Sequence, residues 1–239
     1  MESIKDKNVL IVGVTGGIGR NTAKLLKQSG ANLFLTARDA SKLAELAHEL
    51  GIDNENCFAI DLKNAKNEIQ QMADVIHSKC PSIDILINAS GIGIIKSLED
   101  LTEEEIIQSL QINLIAVFNL LKSFVPKMKE QKKGLIINLP GVLGKTPMAG
   151  SMAYSASKYG LNGMLKSLRE ELKRTDIRIT NIFLGGTDTP FWDNIDLRVQ
   201  KDKFVTAEEA ARSIWFLCQQ PSSGVVSELV LQPFNHQAI

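Results

Sequence analysis

The sequence predicts an α/β fold in which seven parallel strands form a doubly wound sheet with helices on both faces. Short apolar runs rich in Val and Ile alternate with amphipathic helical stretches along the 239 residues. Near-continuous apolar strands are typical of a parallel sheet covered on both faces, and strict strand–helix alternation is typical of doubly wound architecture. Because no linker, repeat or low-complexity segment interrupts this pattern, we expect a single domain over 1–239.

The predicted elements follow in order along the chain. The apolar runs predict strands at 9–12, 33–36, 58–60, 83–87, 135–139, 177–184 and 225–231. Helical patterns lie at 18–29, 40–50, 64–79, 103–130, 152–174 and 206–219. Two of these helices begin with Thr followed three positions later by Glu, at Thr102 and Glu105 and at Thr206 and Glu209. This spacing is the signature of a capping box.

The composition argues against several classes of partner. Lys+Arg and Asp+Glu are equal at 27 each, so no net field favours nucleic acid or an anionic membrane. The polar N-terminus lacks the apolar region of a secretory signal, and no uninterrupted apolar stretch is long enough to span a bilayer. We therefore expect a cytoplasmic protein that acts on a small molecule, without a nucleic-acid or membrane partner.

The cysteines and histidines show neither paired nor metal-ligand spacing. They are scattered along the chain, at Cys57, Cys80, Cys218, His48, His77 and His236. We therefore expect no metal site.

A glycine-rich turn follows the first strand and opens directly into a helix. Ligands of doubly wound sheets bind beyond the carboxyl ends of the strands. There, glycines let backbone N–H groups approach a pyrophosphate at a helix N-terminus. The turn therefore predicts a dinucleotide site that includes Gly13, Thr15, Gly17, Ile18 and Gly19.

A charged pair, Arg38 and Asp39, follows the second strand. A carboxylate at this tip binds the ribose hydroxyls of NAD, whereas an arginine holds the extra phosphate of NADP. Arg38 therefore favours NADP(H) over NAD(H) as the cofactor. The alternative is that Arg38 is a solvated cation paired with Asp39.

Tyr154 and Lys158 stand four residues apart in a predicted helix, so they share one helical face. A phenol with its ordinary pKa of about 10 is a poor acid or base at neutral pH. An adjacent ammonium and an oxidised nicotinamide both favour the phenolate and bring its pKa into the working range. The pair is thus a candidate catalytic acid/base with its charge partner, unless a surface helix carries this spacing by chance.

These motifs resemble those of the short-chain dehydrogenase/reductase family, whose members have the Rossmann fold. The G-x-x-x-G-x-G turn and the Tyr-x-x-x-Lys spacing carry the resemblance, which covers nearly the whole chain. It implies Tyr154 as general acid/base, Lys158 as pKa-lowering cation and cofactor anchor, and Asn113 as holder of a relay water. The alternative for Asn113 is a hydrogen-bonded core amide.

The resemblance also implies further cofactor contacts and an oligomer. The contacts come from the ends of the third, fourth and sixth strands, at Asp61, Leu62, Asn88, Ala89, Thr187 and Thr189. The long helices at 103–130 and 152–174 commonly form a subunit interface in this family, which implies a homodimer or a homotetramer.

The chain departs from the family at the expected catalytic serine, because Gly141 stands thirteen residues before Tyr154. Losing one donor of this kind costs roughly 10²–10³ in rate in an unrelated enzyme. Three explanations remain open. A hydroxyl from Ser151 or Thr146 replaces it, the substrate needs no such donor, or efficient carbonyl reduction has been lost. Ser151 is equally a candidate N-cap of its helix.

The substrate pocket is expected to include Gly141, Met148, Ser151, Phe191 and Trp192. Its apolar and aromatic side chains favour a small to medium apolar substrate, although Phe191 and Trp192 are equally suited to anchoring their loop to the core. The leading hypothesis is an NADP(H)-dependent oxidoreductase acting on a carbonyl, an alcohol or a related C=X group. The alternatives are a cofactor-binding sensor or scaffold with weak catalysis, and a non-redox epimerase or dehydratase.

Overall fold

The computed structural model describes residues 1–221 and 223–235, apart from the side chain of Asn194. Seven of its strands are β1 (Asn8–Val12), β2 (Asn32–Ala37), β3 (Cys57–Ala59), β4 (Ile85–Asn88), β5 (Lys133–Asn138), β6 (Asp176–Leu184) and β9 (Glu228–Leu231). They form one sheet in the order β3-β2-β1-β4-β5-β6-β9 with every pairing parallel. Two short strands, β7 (Thr187–Asp188) and β8 (Val205–Thr206), pair separately. The predicted doubly wound sheet is confirmed.

Helices cover both faces of the sheet because successive strand residues point to opposite sides. In β1, Val9 and Ile11 join one core cluster, whereas Leu10 and Val12 join the other. The first cluster includes residues of α1 (Gly17–Gln28), α2 (Ala40–Leu50) and α7 (Ala207–Leu217). The second includes residues of α3 (Lys66–Lys79), α5 (Ala116–Gln131) and α6 (Met152–Leu172). The strands are apolar at nearly every position because each face of the sheet packs into its own core cluster.

One long helical segment, Glu103–Gln131, is built from α4 (Glu103–Leu110), a π-helical turn at Gln111–Ile115 and α5. It is long and apolar enough to cross a membrane by length and composition alone. In the fold, its residues Val117, Leu120 and Phe124 are buried in the second core cluster. Polar residues such as Gln111 and Asn113 interrupt the segment, so the expectation about uninterrupted apolar stretches is not contradicted.

The helix starts and strand ends agree closely with the sequence pattern. Both predicted capping boxes are present, with Thr102 and Thr206 each accepting from the backbone N–H of the Glu three residues on. The last strand begins at Glu228 rather than at 225. The preceding backbone is held by side chains, as Val226 N donates to Gln220 Oε1 at 2.6 Å and Thr180 Oγ1 donates to Val226 O at 2.7 Å.

Candidate active site

A cavity of about 960 Å³ lies at the carboxyl ends of the central strands. Its walls come from the segments that follow β1, β4, β5 and β6, together with the first turn of α6. The sheet order puts β1 between β2 and β4. The chain therefore runs from β1 through β2 to β3 on one side, and then crosses back to continue from β4 on the other side. Crevices at such a reversal are where doubly wound proteins bind their ligands.

The glycine-rich turn forms one end of this cavity, lined by residues 15–19. Gly13 itself lies behind the lining with a φ of +82°, and a Cβ there would meet the Ser90 backbone at 2.8 Å. A Cβ on Gly17 would meet Thr189 Cγ2 at 2.9 Å, so the turn packs directly against the segment after β7. Gly16 caps α1 without any side-chain bond, and the first turn carries no acidic residue. This helix start therefore has backbone N–H groups for an anion.

One cation lines the cavity, and a second follows β2. Arg38 is exposed at the end of β2, and Lys42 lines the cavity one turn into α2. Asp39 caps the N-terminus of α2, because its Oδ1 accepts from Lys42 N at 3.1 Å. Its Oδ2 lies 4.0 Å from Lys42 Nζ. The alternative pairing of Arg38 with Asp39 is therefore not what the structure shows. Sequence reasoning missed Lys42, whose only signal is its position three residues after a cap.

Two further predicted cofactor contacts, Asp61 and Leu62, follow β3. Asp61 is exposed and accepts from Lys63 N at 3.1 Å, and α3 begins later, after Ala65. Leu62 packs against the second core cluster. Neither residue lines the cavity, and Ala65 rather than Asp61 occupies the N-cap position of α3. Asp61 and Leu62 remain predicted cofactor contacts.

The fourth strand ends in a local hydrogen-bonded turn. Asn88 is buried, and its Oδ1 accepts from Ser90 Oγ at 2.6 Å and from Ser90 N at 3.3 Å. Ala89 and Ser90 line the cavity, whereas Asn88 lies behind them. Asn88 therefore shapes the cavity wall.

Tyr154 and Lys158 both line the cavity from the first turns of α6. The Lys158 Nζ lies 5.5 Å from the centroid of the Tyr154 ring and donates to Leu139 O at 3.2 Å. Burial lowers the pKa of the Lys158 ammonium to about 8 and raises the pKa of the Tyr154 phenol above its ordinary value. In the protein alone, burial thus outweighs the nearby ammonium. The expected lowering of the phenol pKa includes the charge of an oxidised nicotinamide and stays a prediction.

Asn113 is buried within the π-helical turn and has partners at both ends of its amide. Its Oδ1 accepts from Ile92 N at 2.9 Å, and its Nδ2 donates to Ile92 O at 3.0 Å and to Ser157 Oγ at 2.9 Å. A Cβ on Gly91 would lie 3.0 Å from Asn113 Oδ1 and 3.1 Å from Lys158 Nζ. The amide therefore holds the segment after β4, and the absence of a side chain at Gly91 leaves space between amide and ammonium.

Gly141 stands beside the Tyr154 hydroxyl, at the place where the family carries its serine. A Cβ there would lie 3.7 Å from Tyr154 Oη and 3.6 Å from Leu184 O. Its backbone has φ +73° and ψ 165°, a region that is essentially restricted to glycine. Gly141 therefore lacks the hydroxyl that the resemblance implies and also has a backbone conformation that favours glycine.

The two candidate replacement hydroxyls differ in their placement. Ser151 is buried away from the cavity lining, where it donates to Met148 O at 2.5 Å and lies 2.8 Å from Ser155 Oγ. It occupies the N-cap position of α6 without capping it through its side chain. The placement of Ser151 in the substrate pocket is therefore wrong, because the Met148 backbone takes up its hydroxyl. Thr146 and Met148 do line the cavity.

Comparison with known proteins decides the family. The short chain dehydrogenase model matches residues 7–200. This chain belongs to the short-chain dehydrogenase family, a family of oxidoreductases. It is 29% identical over 233 residues to an uncharacterized oxidoreductase of Staphylococcus epidermidis, covering 98% of this chain and 100% of that relative.

Solved structures share the fold over almost the whole chain. A metagenomic short-chain oxidoreductase in complex with NADP is 28% identical, with a TM-score of 0.82 and coverage of 97% of this chain and 99% of that chain. An alcohol dehydrogenase from the archaeon Thermococcus sibiricus, complexed with 5-hydroxy-NADP, has a TM-score of 0.87 at 24% identity. Its coverage is 98% of this chain and 99% of that chain, and at this identity it shows the fold alone.

In this dehydrogenase, four aromatic rings form a row along one wall of the cavity: Tyr154, Phe191, Trp192 and Phe204. Successive ring centroids are 5.8, 5.3 and 5.2 Å apart. Trp192 Nε1 also donates to Thr187 O at 2.9 Å. Phe191 and Trp192 therefore both line the cavity and anchor their loop, so the two interpretations of these residues coexist.

Thr187 and Thr189 also line the cavity, and the Thr189 hydroxyl donates to Thr187 O at 3.4 Å. The described residues contain no group of three or more metal-ligating side chains. His236 lies outside the described residues. All three cysteines are free thiols.

Proposed function

We propose that this short-chain dehydrogenase is an NADP(H)-dependent enzyme that reduces a carbonyl or related C=X group, or oxidises the corresponding alcohol. Its substrate is small to medium in size and largely apolar. The observation that carries the proposal is the cavity itself. It joins the anion-binding start of α1 to the Tyr154 phenol and the Lys158 ammonium, and aromatic rings form part of its lining.

In this proposal, Tyr154 serves as the general acid/base. When bound, the nicotinamide supplies or accepts a hydride at the substrate carbon. In the reducing direction, the Tyr154 hydroxyl gives its proton to the carbonyl oxygen, so that C=O becomes CH–OH while NADPH becomes NADP⁺. Within residues 1–221 and 223–235, leaving aside the side chain of Asn194, the Tyr154 hydroxyl has no hydrogen-bond partner. It is therefore available to donate to a bound substrate.

Lys158 holds positive charge beside the phenol and returns a proton to the site. With its pKa lowered to about 8, the ammonium gives up a proton near neutral pH far more readily than an exposed lysine does. This value suits a group that re-protonates the phenolate after each turnover. The space beside Gly91 connects Lys158 to Asn113, and a water bound there would serve as the relay that the family resemblance implies.

The preference for NADP(H) is supported by Arg38, a cation that follows β2, and by Lys42, a cation that lines the cavity. The Asp39 carboxylate, which would repel the extra phosphate, is held by the cap of α2. The related metagenomic oxidoreductase was crystallised with NADP. NAD(H) is the less favoured cofactor.

We also propose a homodimer or homotetramer in the cytoplasm. Large apolar side chains are exposed on the long helical segment and on α6, namely Ile107, Ile115, Phe118, Met152 and Tyr159. Exposed apolar side chains on neighbouring helices support a subunit interface. The three free thiols support a reducing compartment. Sedimentation velocity of the purified protein tests the oligomer.

One observation favours the alternative of a cofactor-binding protein with weak catalysis. Gly141 leaves no side-chain donor where the substrate oxygen would meet Tyr154, and its backbone path disfavours restoring one. A protein of this kind would bind NADPH with the same contacts but turn over slowly.

The experiment that tests the proposed function replaces Tyr154 with Phe. Tyr154→Phe removes one oxygen and keeps the ring against Phe191. We expect NADPH affinity within about twofold of the unchanged protein, and a loss of turnover of about 10²-fold or more because the proton donor is gone. Tyr159→Phe is the matched control, since Tyr159 is exposed on the same helix and its hydroxyl bonds Lys145 O. Unchanged turnover in Tyr154→Phe would refute the assigned role.

A further inference from the structure

Among the described residues, the charged side chains that line the cavity are all cationic. Four cationic residues line it, and no Asp or Glu does so within the part of the chain that the structure describes. Lys42 belongs to the cofactor end and Lys158 to the catalytic pair. The remaining two, Arg198 and Lys203, lie on the segment between β7 and β8 and have no role in the reaction derived above.

On this segment, the acidic side chains lie outside the cavity lining and two of the basic ones lie in it. Asp193, Asp196 and Asp202 are exposed and lie outside the cavity lining. Lys201 lies outside the lining as well and pairs with Asp193 at 2.6 Å. Arg198 and Lys203 line the cavity, and neither side chain has a hydrogen-bond or ion-pair partner among residues 1–221 and 223–235. The two unpaired cations of the segment are therefore the two at the cavity.

The position of these cations relative to the aromatic row gives the shape of their ligand. The row runs from Tyr154 through Phe191 and Trp192 to Phe204. Lys203 immediately precedes Phe204, and Leu197 and Val199 flank Arg198 as further apolar lining. Lys203 therefore lies next to the ring that ends the row away from the phenol, and Arg198 lines the same cavity from the same segment.

We propose that Arg198 and Lys203 bind an anionic group of the substrate, so that the enzyme acts on an apolar or aromatic carbonyl compound bearing a carboxylate. This inference rests on the proposed function. The carbonyl lies at Tyr154, the apolar body lies along the aromatic row, and the carboxylate lies between the two cations. An arginine fork matches a carboxylate in two parallel hydrogen bonds, and a nearby lysine adds a second positive charge.

The test compares an acid with its neutral ester. The probes are 4′-formylbiphenyl-4-carboxylate and its methyl ester, which carry the same aldehyde on the same pair of rings and extend along the aromatic row. Initial rates with NADPH are measured for both at constant ionic strength. We expect kcat/KM to favour the acid by about tenfold or more, because one charge-assisted contact is worth about a factor of ten.

The double variant Arg198→Gln/Lys203→Gln is expected to remove this preference by raising KM for the acid. KM for the ester and the affinity for NADPH should stay unchanged. Lys201→Gln is the matched control and keeps the preference, because Lys201 is paired with Asp193 outside the cavity. Equal rates for acid and ester in the unchanged protein, or a preference that survives in the double variant, would overturn the proposal. Weaker NADPH binding in the double variant, with the acid still preferred, would overturn it as well and assign the cations to the cofactor.

Binding separates this proposal from the proposed function. Quenching of tryptophan fluorescence in the NADPH-loaded protein reports the affinity for each probe without turnover. Tighter binding of the acid that is lost in the double variant would support the anion site, whether or not the probes are reduced. A failure to reduce either probe would count against the proposed reductase activity alone. Equal binding of acid and ester would overturn the anion site.

Discussion

Replacing Lys158 with Met should make the protein more stable while it loses activity. Lys158 is 2% exposed, and burial lowers its pKa from 10.5 to about 8. At 1.36 kcal/mol for each pKa unit, holding this ammonium inside the protein costs about 3 kcal/mol near pH 7. Methionine keeps an unbranched stem of similar length. Losing the hydrogen bond to Leu139 O costs about 1 kcal/mol, so we expect a net gain of about 2 kcal/mol.

The pH dependence of this gain follows from the direction of the shift. Below pH 8, Lys158 is protonated in both the folded and the unfolded chain, so the folded protein bears the full cost. As pH rises from about 8 towards 10.5, the folded protein loses the proton first and the cost declines. The stability gap between Lys158→Met and the unchanged protein should therefore be widest at neutral pH and close at about pH 10. Above that pH it should reverse, because only the lost hydrogen bond to Leu139 O remains.

Urea unfolding at pH 7 and at pH 10, followed by circular dichroism, measures the gap directly. Lys122→Met serves as the matched control, because Lys122 is exposed on α5. Its stability should change little at either pH. A Lys158→Met protein that is less stable at pH 7, or a gap that does not narrow with rising pH, would refute the reasoning about the buried ammonium.

Three further substitutions test the site. Gly91→Ala places a Cβ between Asn113 Oδ1 and Lys158 Nζ, and we expect kcat to fall by about tenfold or more with NADPH affinity kept. Stopped-flow turnover beside an NADPH titration checks this, and an unaltered kcat would argue against a relay there. Arg38→Ala should weaken NADPH by about tenfold to 100-fold and NADH hardly at all; equal losses in the two titrations would contradict phosphate recognition. Gly141→Ser should destabilise the protein by about 1–3 kcal/mol in thermal unfolding without raising turnover, and faster carbonyl reduction would indicate eroded chemistry instead.

Much of the fold and part of the site follow from local sequence pattern. Apolar runs with two-sided burial determine the strands, and the capping boxes at Thr102 and Thr206 determine two helix starts. The glycine turn and the pair of Tyr154 and Lys158 were predictable because backbone geometry places them at the carboxyl ends of strands. The structure brings these features to one cavity.

The remaining features depend on tertiary geometry that spacing does not encode. A missing hydroxyl at Gly141 is visible in the sequence, but its glycine-only backbone conformation is not. Ser151 has the right spacing for the pocket and still turns to the Met148 backbone. In an irregular segment, no periodicity tells which charged side chains line the cavity, so Lys203 and Arg198 could not be separated from Lys201.

The pKa of Tyr154 itself provides the most direct test of the central claim. The chain has two tyrosines, so in Tyr159→Phe the ultraviolet absorbance of the phenolate reports Tyr154 alone. Without cofactor, burial should keep this phenol protonated above its ordinary pKa, and saturating NADP⁺ should shift its titration to lower pH through the added positive charge. An identical titration curve with and without NADP⁺ would contradict a phenol poised at the nicotinamide.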